Sequence, residues 1–132
     1  MKKSEIFDII VNKVCEVCEV RKDAILNNLK MQAVVDARML AVQYLIREGI
    51  SADDIALIMF REQAGDMTFC PDKQLLRTRA RGFNKQFNGY SRRCMESRAF
   101  RIMSADIAKF CREQFGKEEE ERIENKFSKK RE

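Results

Sequence analysis

The chain has 132 residues, 45% of them apolar, a net charge of +5 and no histidine. That length suits one domain with a buried core. One proline and five glycines are too few for a turn-rich β protein, and the lack of histidine removes the commonest general base and metal ligand. The apolar residues recur at helical spacing, which predicts an all-α, multi-helix bundle. The first helix is expected to start after Ser4, end near Glu19 and bury Ile6, Ile10, Val14 and Val17, with Cys18 beside them. A short helix over 23–26 and a link over 27–30 follow. The next helix, 32–48, places Val34, Ala37, Ala41, Tyr44 and Leu45 on one face, and Gly49 stands at its C-cap.

Ser51, with Asp54 three residues on, approximates a capping box that opens a helix burying Ile55, Ala56 and Met59. That helix is expected to end by Phe60. A connection over 61–70 contains Gly65. Pro71 then suits the first position of a helix running to Asn88, where Asn88-Gly89 signals a turn. A further helix spans 91–103, and Ser104 caps a last one with Ile107, Phe110 and Cys111 apolar. The chain therefore divides into a helical domain over 1–103 and a C-terminal helix over 104–132, whose mixed-sign end reads as a solvated, partly frayed tail.

The five cysteines are Cys15, Cys18, Cys70, Cys94 and Cys111. The odd number, with no secretory signal at the N-terminus, points to reduced thiols and a cytoplasmic location. Cys15 and Cys18 have the gap of a metal knuckle, but no second pair follows. They fall in an apolar-periodic helix, where cysteine behaves as a small hydrophobe. No metal site is expected. No apolar run is long enough to span a membrane.

Charge is concentrated in one place. Seven of the cations, and no acid, fall in the 23 residues over 73–95, which leaves −2 for the rest of the chain. On a helix, Leu76, Ala80, Phe83 and Phe87 share one arc, and Lys73, Arg77, Arg81, Asn84 and Asn88 share the adjoining one. One side can dock on the domain while its neighbour presents cations and amides outward. Gly82 in mid-helix costs about 1 kcal/mol against alanine, so an irregularity is expected there. Lys73, Arg77, Arg81 and Lys85 are candidate DNA contacts. Asn84 and Asn88 suit base edges or phosphates, and Arg79, Arg92 and Arg93 suit phosphates.

Two stretches carry a resemblance. "IFDIIVNKVCEVCEVRKDAIL" and "VVDARMLAVQYLIREGISADDIALIM", together about residues 6–59, are similar to the C-terminal, helix-turn-helix DNA-binding domain of the bacterial chromosomal replication initiator, DnaA. The Ala37-Arg38 pair, the Leu-x-Arg-Glu end over 45–48 and the "S…IA" opening of the next helix carry it. The resemblance implies a helix-turn-helix core. It also implies that Arg38 contacts the DNA backbone or its adjacent groove. The family's recognition-helix signature, Arg-Asp-His-Thr-Thr-Val, is missing, so origin-sequence specificity is expected to be altered or lost.

The function expected is therefore double-stranded DNA binding through a helix-turn-helix-like module with a basic recognition helix, alongside a protein partner in a replication or regulatory complex. The alternative is a protein-interaction domain of the same fold without DNA binding. Phe69, Phe83, Phe87, Tyr90 and Phe100 would serve such a partner, although aromatics at this frequency in a helical domain usually form its core. An enzyme is not expected. No catalytic constellation, phosphate-binding glycine loop or cofactor motif occurs, and ATP binding is excluded on the same ground.

Overall fold

The computed structural model describes residues 1–27 and 29–131, and their side chains as far as Gly116. It is all-α, with helices α1 (Lys3–Cys18), α2 (Lys22–Leu26), α3 (Gln32–Arg47), α4 (Ala52–Ala64), α5 (Lys73–Glu96) and α6 (Arg98–Arg131). Helix α3 is the central element and touches all the others. Its composition explains that position. Val34, Ala37, Leu40, Ala41, Val42 and Leu45 are all buried, and the alanines let neighbouring helices approach closely.

Around α3, Phe7, Ile10, Val11 and Val14 of α1 supply one wall of the core, and Ile55, Ala56 and Met59 of α4 another. Ala80 and Phe83 of α5, with Phe100 and Ile107 of α6, close it. The expected α1 stripe is rotated slightly. Phe7 and Val11 are fully buried, whereas Ile6, Val17 and Cys18 lie half-buried at its edge.

The turn from α3 into α4 is built as its sequence foretells. Gly49 has φ +90°, which favours glycine, and donates its N–H to the Ile46 carbonyl. Ile50 donates to the Leu45 carbonyl and is itself buried, completing a Schellman end with its apolar contact. Ser51 Oγ then accepts the Asp54 N–H at 3.2 Å and caps α4. The Asp54 carboxylate pairs with Lys3 of α1 at 2.7 Å.

Five boundaries differ from those expected. Helix α1 starts at Lys3 with Lys2 in the cap position, so Ser4 lies inside the helix and does not cap it. Helix α4 continues one turn past Phe60 and ends at Gly65, whose φ of +66° supplies the left-handed cap. Helix α5 starts at Lys73 and not at Pro71, with Asp72 as its cap: the Asp72 carboxylate accepts the Gln74 N–H at 2.7 Å. Helix α5 runs unbroken through Gly82, where an irregularity was expected, and through Asn88-Gly89, with no turn there. The break falls at Ser97, which is extended and whose Oγ accepts the Phe100 N–H at 3.1 Å. Ser104 accordingly starts nothing. It sits inside α6, so no helix boundary separates residue 103 from residue 104.

The reason is tertiary. Tyr44 donates its hydroxyl to the Ser104 carbonyl at 2.9 Å and lies 2.7 Å from Ser104 Oγ, which also hydrogen-bonds to the Tyr90 hydroxyl. A serine that looks like a helix cap is used instead to join α3, α5 and α6 in the core. A Cβ at Gly89 would meet the Met39 methyl of α3 at an ordinary 3.8 Å, so the passage of α5 over α3 does not require glycine there. The expected charged tail concerns residues whose side chains lie beyond those described.

Candidate nucleic-acid interface

Helix α5 carries the basic run. Its 24 residues make a rod about 36 Å long at a rise of about 1.5 Å per residue. Leu76, Ala80, Phe83 and Phe87 turn inward as their spacing requires, with Phe83 fully buried and Leu76 and Phe87 half-buried against the core. That docking holds the adjoining arc in water.

On the outer side, Lys73, Arg77, Arg81, Asn84, Asn88 and Arg92 are all exposed. At about 100° per residue their Cβ atoms fall within an arc of about 100°. Lys85 borders the same arc and is exposed too. Lys73, Arg77 and Arg81 line one shallow hollow of about 450 Å³ together with Asp72, Gln74 and Thr78. Lys73, Arg77, Arg81 and Lys85 have no carboxylate within 4.0 Å among the described residues, whereas Arg92 reaches Glu96 at 3.5 Å. Between Asp72 at its start and the Arg92–Glu96 pair at its end, the exposed cations Lys73 to Lys85 have no acid paired to them, which favours a positive potential along that part of the stripe. The continuity of α5 also adds Arg92, which was expected on a separate helix, to the end of this stripe.

Two of the expected contacts are held elsewhere. Arg93 faces the other side of α5 and grips Asp36 of α3 with two parallel bonds, Nε–Oδ1 and Nη2–Oδ2, both 2.9 Å. Gln32 adds a bond to Asp36 Oδ1 at 2.8 Å. The Asp36 hydrogen bond above all holds the Arg93 guanidinium above its ordinary range. Arg93 is thus a clamp between helices in place of the expected phosphate contact.

Arg38 is 3% exposed. Its Nε donates to the Ile25 carbonyl at 3.0 Å, and its Nη2 donates to the Asn27 and Ala24 carbonyls at 2.7 and 3.2 Å. These are the last carbonyls of α2 and the chain just after it, so the guanidinium completes the end of that helix. Burial, then the nearby Arg79 charge, lower its pKa. The backbone contact that the resemblance implies is replaced here by a structural bond set.

Arg79 takes an intermediate position. It projects from the flank of α5 opposite the stripe, and its guanidinium lies over the Phe60 ring at 5.1 Å. Its Nη1 is shut off from solvent with no hydrogen-bond partner among the described residues, as is Gln86 Oε1. A buried polar atom left unpaired costs about 1–3 kcal/mol. Gln86 was not singled out by the sequence, because an uncharged amide within a basic run gives no periodic signal.

The aromatics offered to a partner divide by depth. Phe83 and Phe100 are core, Phe87 and Tyr90 half-buried, and Phe69 is 40% exposed on the link between α4 and α5. That link, 65–72, is locally built. Asp66 accepts both the N–H and the hydroxyl of Thr68, and Arg61 donates to the Phe69 carbonyl at 2.9 Å. It is twice the length of a helix-turn-helix connection of about four residues. The connection of that length lies between α3 and α4.

No membrane-spanning helix and no group of three or more metal-ligating side chains occur among the described residues. No protein-family model, no curated protein and no solved structure matches the chain.

Proposed function

We propose that the protein binds double-stranded DNA through the outer stripe of α5. One observation carries the reading. An exposed row of cations and amides, free of acids in sequence from Lys73 to Arg92, lies on a helix whose inner face is anchored in the core. The order along the stripe suits a groove. Asn84 and Asn88 lie in its middle, and both can pair with base edges. Arg81 and Arg92 flank them, about 16 Å apart along the axis at about 1.5 Å per residue, and would meet phosphates on either side. Lys73 and Arg77 extend the phosphate contacts beyond.

The DnaA-like resemblance supports a DNA-binding ancestry for α1–α4. The α5 stripe, in place of the family's signature, would supply the contacts, and the specificity would differ accordingly. The reading is tested by titrating arbitrary duplex DNA across a salt series and then selecting bound duplexes from a random pool. Affinity should fall steeply with salt, as counterion release requires. An enriched motif would assign base readout to the amides. Absence of DNA binding at low salt would overturn the reading and leave the protein-interaction alternative.

A further inference from the structure

Leu75, Arg79, Gly82, Gln86, Gly89 and Arg93 follow one another along α5 in alternating steps of four and three residues. That is the spacing of a helix–helix seam. At about 100° per residue it lies on the flank opposite Arg77 and Asn88. Its second half is covered by α3, where Asp36 holds Arg93 and the Met39 methyl faces Gly89. Its first half is open. Leu75, Arg79, Gly82 and Gln86 line a hollow of about 340 Å³, with Arg38 of α3 and Phe60 of α4 on its walls.

We infer that a second copy of the chain docks on this open half, its α5 crossing antiparallel over Gly82. The polar atoms of the seam carry the inference, because they complement themselves. Among the described residues, Arg79 Nη1 lacks an acceptor and Gln86 Oε1 lacks a donor. Arg38 adds no free donor, since its guanidinium is spent on the carbonyls at the end of α2. One missing acceptor and one missing donor suit neither an anion nor a cation. They suit each other across a two-fold axis. Arg79 stands three residues before Gly82 and Gln86 four residues after it. Antiparallel copies crossing at Gly82 therefore bring Arg79 of each opposite Gln86 of the other. Both atoms end long side chains, which turn outward by a change of rotamer. An isologous contact then pairs both orphans in both copies.

Two further observations fit a copy in that place. Gly82 costs helix stability relative to alanine, yet a Cβ there would meet nothing within 4 Å. The fold of one chain does not need this glycine, whereas a second backbone crossing over it does. The rim is also apolar and open to water. Leu75, in the hollow, is 58% exposed. Leu29, whose carbonyl Arg38 holds, is 47% exposed. Apolar side chains gathered at one rim gain from being covered. The DNA-facing stripe stays clear of this contact, which does not depend on DNA binding.

Sedimentation equilibrium of the full chain, without DNA, tests it. The 15.5 kDa chain should associate reversibly to a dimer and no further, because a two-fold contact closes on itself. Gly82→Leu puts a bulky side chain at the crossing on a better helix former. It should weaken the dimer by at least about tenfold while circular dichroism stays that of the parent. Gln86→Lys sets a cation against Arg79 of the other copy and should weaken the dimer by a similar factor. Adding Arg79→Glu to Gln86→Lys makes the facing charges opposite and should restore the parent's association, which a side chain with a role inside one chain would not do. A parent chain that stays monomeric at millimolar concentration, a folded Gly82→Leu variant that dimerises like the parent, or a double variant no tighter than Gln86→Lys alone would each overturn the assignment.

Discussion

Arg93 and Asp36 join α5 to α3 through two parallel hydrogen bonds of 2.9 Å. Asp36 is nearly buried, so its carboxylate depends on this partner. Arg93→Ala should lower stability by about 1–3 kcal/mol, through an acceptor left buried and unpaired. Chemical denaturation measures it. A variant as stable as the parent, but weakened on DNA, would return Arg93 to the interface.

Arg38→Ala should be more damaging, at about 2–4 kcal/mol, because the Ala24 and Ile25 carbonyls lose the guanidinium together and the Asn27 carbonyl keeps only the Leu29 N–H. Its effect on DNA affinity, measured on the folded fraction, should be small. Normal melting with lost DNA binding would show that the guanidinium leaves its carbonyls to reach phosphate.

Gly89→Ala should raise stability by about 0.5–1 kcal/mol. The position lies inside α5, where alanine is the better helix former, and the added Cβ makes only an ordinary 3.8 Å contact with Met39. A turn at Asn88-Gly89 would give the opposite sign. The melting temperature of this one variant therefore tests whether α5, and with it the alignment of Arg92, is continuous.

Much of the fold was legible in the sequence. Helix α3, the Gly49 end and the Ser51 cap are fixed by local chemistry, which a linear reading captures. The inner arc of α5 was legible for the same reason, since Leu76, Ala80, Phe83 and Phe87 repeat at helical spacing. What was hidden is what distant residues decide. Asn88-Gly89 and Ser104 carry local signals for turn and cap; the packing of Phe87 and Tyr90 on the core overrides the first, and the Tyr44 and Tyr90 hydroxyls override the second. The roles of Arg38 and Arg93 were hidden similarly. An arginine looks the same in sequence whether it meets phosphate, a helix end or Asp36. Gln86 carries no pattern of its own, so the burial of its amide oxygen appears only when the helices are assembled.

The thiols should react in order of exposure. Burial first, and then the Asp36 carboxylate, push Cys18 up to about 11, and burial, then Glu48, does the same for Cys111. Cys70 is exposed. At pH 8 a disulfide-exchange reagent should label Cys70 promptly and Cys18 and Cys111 only on unfolding. The same shifts set a pH dependence. Both folded values lie above the ordinary thiol value of 9.0, so their contribution is intact below pH 9 and fades as pH rises toward 11. Stability rising over that window would contradict the placement of these two thiols.

The central claim is that the outer stripe of α5 meets DNA, and the salt dependence of binding tests it most directly. Lys73→Ala, Arg77→Ala and Arg81→Ala combined remove three exposed cations and introduce the best helix former, so the fold should survive by circular dichroism. Each lost phosphate contact should flatten the log–log slope of affinity against salt by about one unit. The account predicts a folded triple variant with a slope shallower by about three units. A folded variant that binds duplex DNA with the parent's slope would contradict it.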